Sequence, residues 1–128
     1  MTEKSAVRNI ACLVLGLVAS IASVSQVMAA EAKCYVVNEI QVTDAAKYKG
    51  YVDQVPATLA PFGGSFLVRG GNGEVLSGAP LVGRIVIVEF PNRSKAKAWH
   101  DSPAYQKILA IRNASSTSRV YLVDGEAP

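Results

Sequence analysis

Glu39 and Glu89 are the carboxylates whose placement first suggests chemistry. Tyr35, Val37 and Glu39 share one face of an alternating apolar run, and Ile85, Ile87 and Glu89 share one face of another. We expect these runs to be parallel neighbouring strands, which would put both carboxylates near the same strand ends. Arg119, at the start of the last apolar run, would then approach Glu39. Two close carboxylates cannot both ionise cheaply, so one would titrate near neutrality and serve as an acid or base. The competing reading is a neutralised ion-pair network that only holds the sheet.

A second group follows Pro91. Trp99, Tyr105 and Arg112 fall close together along one helical region. An aromatic wall with a guanidinium suits a planar or carboxylate-bearing ligand; equally, the aromatics fill core and Arg112 anchors a carbonyl or carboxylate. Arg69 precedes Gly70-Gly71, where close backbone approach would let it clamp an anion, or where it is simply a solvated turn residue. His100 is the single histidine and has no Asp or Cys neighbour in ligand spacing, so no metal site is expected and exposed helix surface is. Gly70-Gly71-Asn72-Gly73 lacks both the Gly-x-Gly-x-x-Gly pattern and the Lys-Ser/Thr of a phosphate loop, which makes it a hairpin connection and leaves no cofactor motif. Asn92-Arg93-Ser94 and Asn113-Ala114-Ser115 match glycosylation sequons by chance, and no Ser-His-Asp or Cys-His arrangement can be assembled.

The elements that must position these residues are legible as patterns. Val36, Asn38, Ile40 and Val42 alternate along a first strand, and Thr43 or Asp44 caps the helix after it. Tyr48, Tyr51, Val52, Val55 and Leu59 line one side of that helix; Pro56 kinks or ends it, and Gly63-Gly64 closes it. Residues 65–69 form a second strand. A Gly-rich connection over 70–83 follows, with some pairing expected around Val75, and then a third strand over 85–90. A helix opens at Pro91-Asn92 and restarts at Ser102-Pro103, a capping hydroxyl followed by proline. Residues 113–118 read as a loop and 120–123 as the last strand. The order β-α-β-β-α-β is the ferredoxin-like α+β arrangement, an antiparallel sheet with both helices on one face. Its uncovered face would carry Tyr35, Val37, Leu67, Ile85, Ile87 and Tyr121, and a second copy of the chain would cover it as a homodimer.

Composition and address narrow the class. The chain has 128 residues, 50% hydrophobic and 18% charged, with mean hydropathy +0.24, which excludes a disordered chain. Lys4 and Arg8 precede the uncharged stretch 10–24, and small residues follow, with Ala30-Glu31-Ala32 as the cleavage pattern and Val27-Met28-Ala29 as a second. This is the order of a secretory signal peptide over residues 1–32; the apolar stretch falls short of the about 20 residues a membrane span needs. Export to the periplasm or beyond is expected, with one domain over 33–128, no membrane attachment after cleavage, and Cys34 as the sole remaining cysteine. A lone thiol can bridge subunits or lie buried as a bystander. Net charge is only +3 and no basic run exists, which argues against nucleic acid.

Gly63-Gly64, Arg69-Gly70-Gly71, Glu89-Phe90-Pro91, the stretch Trp99-x-x-Ser102-Pro103-x-Tyr105, and Arg112 together give a resemblance over about 33–125. In these the chain resembles the bacterial domain of unknown function 1330 family of the dimeric α+β barrel superfamily. Cys34 stands where that family would have Gly, and His100 where an aromatic is common. The resemblance implies a ferredoxin-like dimer with no established activity; cofactor-free monooxygenases, small isomerases and haem-handling proteins share the superfamily. The expectation is an exported protein that binds a small organic ligand in a dimer cavity through Arg69, Trp99, Tyr105, Arg112 and Arg119. The alternatives are a cofactor-independent monooxygenase or isomerase using Glu39 or Glu89, and a structural dimer without ligand.

Overall fold

The computed structural model describes residues 30–128; most of the stretch expected to be a signal peptide, with Cys12, lies outside the described residues. Strand β1 runs Cys34–Val42, and Asp44 then starts helix α1, Ala45–Val52, by accepting a hydrogen bond from the Lys47 amide at 3.0 Å. Pro56 sits in the first turn of a separate short helix, α2, Val55–Leu59, where its missing N–H costs nothing. A 3₁₀ turn over Ala60–Phe62 follows, and Gly63 closes it in the left-handed region at φ 69°. Strands β2, Ser65–Gly71, and β3, Arg84–Phe90, flank the long connection. Asn92 caps α3, Arg93–Asp101, through the Lys95 amide at 2.8 Å. Ser102 caps α4, Pro103–Ser115, and β4 runs Ser116–Asp124.

The sheet order is β2-β3-β1-β4, with every neighbouring pair antiparallel. Parallel β1 and β3 were expected and are not found. A crossover through helix lays β2 parallel to β1, and the β2–β3 hairpin then reverses the chain, so β3 must oppose β1. Two smaller expectations also fail. Residues 72–83 carry no strand pairing around Val75, and the expected loop over 113–118 does not exist, because α4 passes straight into β4 at Ser116. The Ser116 hydroxyl takes up the Arg112 carbonyl at 2.7 Å, and the Ser115 carbonyl accepts the Thr43 and Asp44 amides at 2.9 and 3.1 Å. The helix end is therefore satisfied without a loop.

Cys34, Val36, Asn38 and Ile40 of β1 and Val88 and Phe90 of β3 face the helices and are buried with Tyr48, Tyr51, Leu59, Trp99, Tyr105 and Ile108. The opposite face carries Val37, Ile87 and Tyr121 side by side, since Val37 pairs in register with both Ile87 and Tyr121. Leu67, Tyr121 and Val123 are exposed there by 55, 40 and 43%, an apolar surface on the uncovered side of the sheet.

Candidate functional site

The antiparallel register decides the fate of the carboxylate pair. Glu89 stands opposite Tyr35 and Glu39 opposite Ile85. Four strand positions thus separate them, roughly 13 Å at about 3.3 Å per residue. Each has its own cation: the Arg119 guanidinium donates to both Glu39 oxygens at 3.0 and 3.1 Å, and Lys33 Nζ to Glu89 at 2.8 Å. The approach of Arg119 to Glu39 is as expected, for the two are register partners. A shared proton between Glu39 and Glu89 is not possible at that distance, so the acid/base pair is corrected to two ion pairs at opposite ends of the uncovered face.

The helix-covered side holds the site with the more demanding chemistry. A cleft opens between α1, α2 and the sheet, lined by Asn38, Tyr48, Tyr51, Phe66, Arg69 and Arg84, with Trp99 and aliphatic residues beneath. The cleft as it stands offers about 30 Å³, room for about two waters. Asn38 is an amide on an otherwise apolar inward face; its Nδ2 donates to the Val86 and Val36 carbonyls at 3.2 and 3.4 Å, which orients the side chain and leaves Oδ1 with no donor among the described residues.

Behind the cleft runs an aromatic row. Ring centroids lie 5.5 Å apart for Tyr48 and Tyr51, 6.4 Å for Tyr51 and Tyr105, 3.9 Å for Tyr105 and Trp99, and 5.3 Å for Trp99 and Phe90. The Tyr51 and Tyr105 hydroxyls share a hydrogen bond at 3.3 Å, and Arg112 Nη1 donates to the Tyr105 hydroxyl at 3.0 Å. Trp99 Nε1 donates to Thr58 at 3.0 Å, tying α3 to α2. Burial pushes the Tyr51 hydroxyl far above the ordinary tyrosine range, with Tyr105 beside it adding to the shift. Tyr105 and Tyr48 are raised too, burial again being the main cause, with Arg112 opposing it in both.

Guanidiniums sort into two kinds. Arg93 and Arg119 grip carboxylates with both arms of the fork, Arg93 holding Asp124 at 2.9 Å on each side. Arg69, Arg84 and Arg112, around the cleft, have no ion pair among the described residues. Arg69 lies 4.4 Å over the Phe66 ring and reaches the Val52 carbonyl at 3.5 Å. Arg84 lies against Gly70 and donates to the Arg69 carbonyl at 3.4 Å. Gly70, at φ 75°, is where β2 bulges, and a Cβ there would overlap the Arg84 guanidinium. The Nε atoms of Arg84 and Arg112 are buried without any acceptor. Each such orphan donor costs about 1–3 kcal/mol.

Of the residues expected to bind ligand, Arg69 and Trp99 line the cleft, and Tyr105 and Arg112 support it through Tyr51. Arg112 meets a phenol hydroxyl instead of the expected carbonyl or carboxylate. Arg119 is on the other side of the sheet, and the structure does not bring it to Arg69. Asn38, Tyr48, Tyr51 and Arg84 were missed as site residues. Their signal was available in part: positions 84, 86, 88 and 90 alternate inward, so an arginine and an asparagine fall on faces that should be apolar. His100 is half-exposed, 3.1 Å from Asp101 and against the Tyr105 ring at 5.6 Å. Cys34 is fully buried, its thiol pushed up by that burial. Among the described residues no group of His, Cys, Asp and Glu could hold a metal ion, and no helix is long and apolar enough to cross a membrane.

An antiparallel βαββαβ sheet with helices on one face and an aromatic, arginine-edged cleft beneath them defines a ferredoxin-like α+β protein. Sequence comparison matches residues 33–126 to the domain of unknown function DUF1330, and the chain belongs to that family. No curated protein matches it. Among solved structures it is similar to a protein of unknown function from Rhodopseudomonas palustris, with TM-score 0.63 at 19% identity over 77% of this chain and 85% of that one. It is also similar to SnoaB, a cofactor-independent oxygenase from Streptomyces nogalater, with TM-score 0.54 at 16% identity over 76% and 96%. A dimeric ferredoxin-like protein of unknown function from Thermobifida fusca gives TM-score 0.52 at 10% identity over 73% and 92%. At these identities the likeness is one of fold.

Proposed function

We propose that this protein binds a small organic molecule in the cleft between α1, α2 and the helix-covered face of the sheet, one per subunit of an exported homodimer. The observation that carries the reading is the cleft itself: aromatic and aliphatic walls, a buried asparagine, and arginines at its edge that no carboxylate among the described residues neutralises. Few convergent polar groups on an apolar lining is the pattern of a ligand site. The homodimer rests on the uncovered face, where Val37, Ile87 and Tyr121 align and the Lys33–Glu89 and Arg119–Glu39 pairs frame them as a polar rim. The dimeric description of the Thermobifida fusca protein supports the same arrangement. Export rests on the signal-peptide order of residues 1–32.

Native mass spectrometry on the protein exported by a bacterial host tests all three parts. The expected species is a dimer of chains beginning at Lys33 that retains an organic mass or takes one up from a panel of small aromatics. A monomer would remove the dimer, and an intact N-terminus would remove export. Trp99 is the only tryptophan and lines the cleft, so its emission reports occupancy; no adduct and no change in that emission across the panel would remove ligand binding.

A further inference from the structure

The arginines around the cleft carry information about what enters it. We infer that the ligand presents an oxyanion head of the carboxylate class, and that Arg84 is the group that receives it. This rests on the cleft as the binding site and adds the chemistry of its occupant.

Four observations converge on Arg84. It lines the cleft, it belongs to no ion pair among the described residues, and its buried Nε has no acceptor. Its one hydrogen bond, to the Arg69 carbonyl, is long at 3.4 Å. Arg84 is half-buried with its Nε fully so, and a guanidinium held this way is best satisfied when an anion meets its fork; carboxylates do this for Arg93 and Arg119, and none among the described residues does it for Arg84. The bulge at Gly70 leaves room for the guanidinium at a position where any side chain would displace it. Arg69, at the mouth and held only by a 3.5 Å contact to the Val52 carbonyl and by the Phe66 ring, can swing onto the same anion. Arg112 adds positive charge from behind, 6.0 Å from the centre of the Tyr51 ring.

Volume and lining set the rest of the class. At about 30 Å³ the cleft has room for a carboxylate. The head enters while an apolar body stays at the mouth against Phe66 and Val52. The Asn38 oxygen is an acceptor, so a hydroxyl near the anion on the ligand would be received as well. An inorganic anion would use the arginine but leave the apolar walls unused.

The test is a titration of isotope-labelled protein, purified after expression of the full chain, with benzoate, benzamide and sulfate, followed by amide chemical shifts. Benzoate should shift amides around Asn38, Tyr51 and Arg84 and bind about tenfold or more tightly than benzamide. Arg84→Gln should weaken benzoate about tenfold and leave benzamide unchanged, whereas Lys107→Gln on the exposed side of α4 should alter neither. If benzamide binds at the same residues as tightly as benzoate, the cleft stands and the anion inference falls. If the shifts map away from the cleft, the cleft falls too. Sulfate displacing benzoate with equal affinity would overturn the organic class, and absence of benzoate binding up to its solubility limit would overturn Arg84 as an anchor. Should Arg84→Gln fail to fold, Arg84→Lys keeps the charge without the fork and should still weaken benzoate, and the benzoate-to-benzamide ratio in the unaltered protein decides by itself.

Discussion

The Tyr51–Tyr105–Arg112 chain shows how much one buried hydroxyl can carry. Arg112 is only 6% exposed, and the Tyr105 oxygen is the acceptor for its Nη1. Tyr105→Phe would leave a second orphan donor beside the Nε that already lacks one. The expected loss is about 1–3 kcal/mol in urea unfolding, with a smaller loss for Tyr51→Phe, which leaves the Arg112 bond intact. The same residues are expected to set the alkaline limit. Tyr48, Tyr51 and Tyr105 are all raised above the ordinary value of 10.0 in the folded chain. The folded state therefore holds protons that the unfolded state releases, so stability is undiminished below pH 10 and falls as pH rises beyond it. Absorbance at 295 nm should show these three phenols ionising together with unfolding, and Tyr51→Phe should flatten the decline. A decline equally steep in Tyr51→Phe would show that these hydroxyls do not set the limit.

Ser102 links two elements with one hydroxyl. It donates to the Trp99 carbonyl at the end of α3 at 2.7 Å and accepts from the Tyr105 amide at the start of α4 at 3.3 Å. Trp99 and Tyr105, the central rings of the aromatic row, lie directly on either side of it. Ser102→Ala should cost about 1 kcal/mol through the lost cap. It should also shift Trp99 emission, because the angle between α3 and α4 sets how that ring meets the cleft. Unchanged emission would show that the packing of Trp99 against Tyr105 and Phe90 fixes the angle without the cap. This junction was legible in the sequence, since a capping hydroxyl followed by proline is a helix-start signal. The passage of α4 into β4 was not. The polar run at 113–118 looks like a loop until the Ser115 and Ser116 contacts with Thr43, Asp44 and Arg112 supply the partners a loop would have sought in water.

At the scale of the whole molecule the two faces of the sheet divide the work. The covered face holds the cleft, and the uncovered face holds an apolar centre between two ion pairs. Val37 is the residue where the β3, β1 and β4 contributions to that centre meet. Val37→Glu should convert the proposed dimer to monomer in analytical ultracentrifugation and leave the far-ultraviolet dichroism of the chain unchanged, because the side chain points away from the helices. A dimer persisting with that substitution would place the interface elsewhere. The DUF1330 membership and the likeness to an oxygenase and to a dimeric protein of unknown function concern the frame alone. What the cleft can hold depends on the arginines and the asparagine this chain brings to it.

The alternation in β1 and β3, the caps at Asp44, Asn92 and Ser102, and the break at Pro56 are local properties, set by hydrogen bonds and side chains within a few residues of one another. The sequence by itself therefore determined the element order, the inward and outward faces and the ferredoxin-like class. Strand direction is not local. The approach of Arg119 to Glu39 was legible, but whether Glu39 also meets Glu89 depends on the hand of a crossover and the turn of a hairpin, and only the assembled sheet decided that it does not. The cleft is likewise a product of assembly. Asn38, Tyr51, Arg69 and Arg84 come from four elements, and the unpaired state of their guanidiniums appears only when every carboxylate of the described chain has been placed somewhere else.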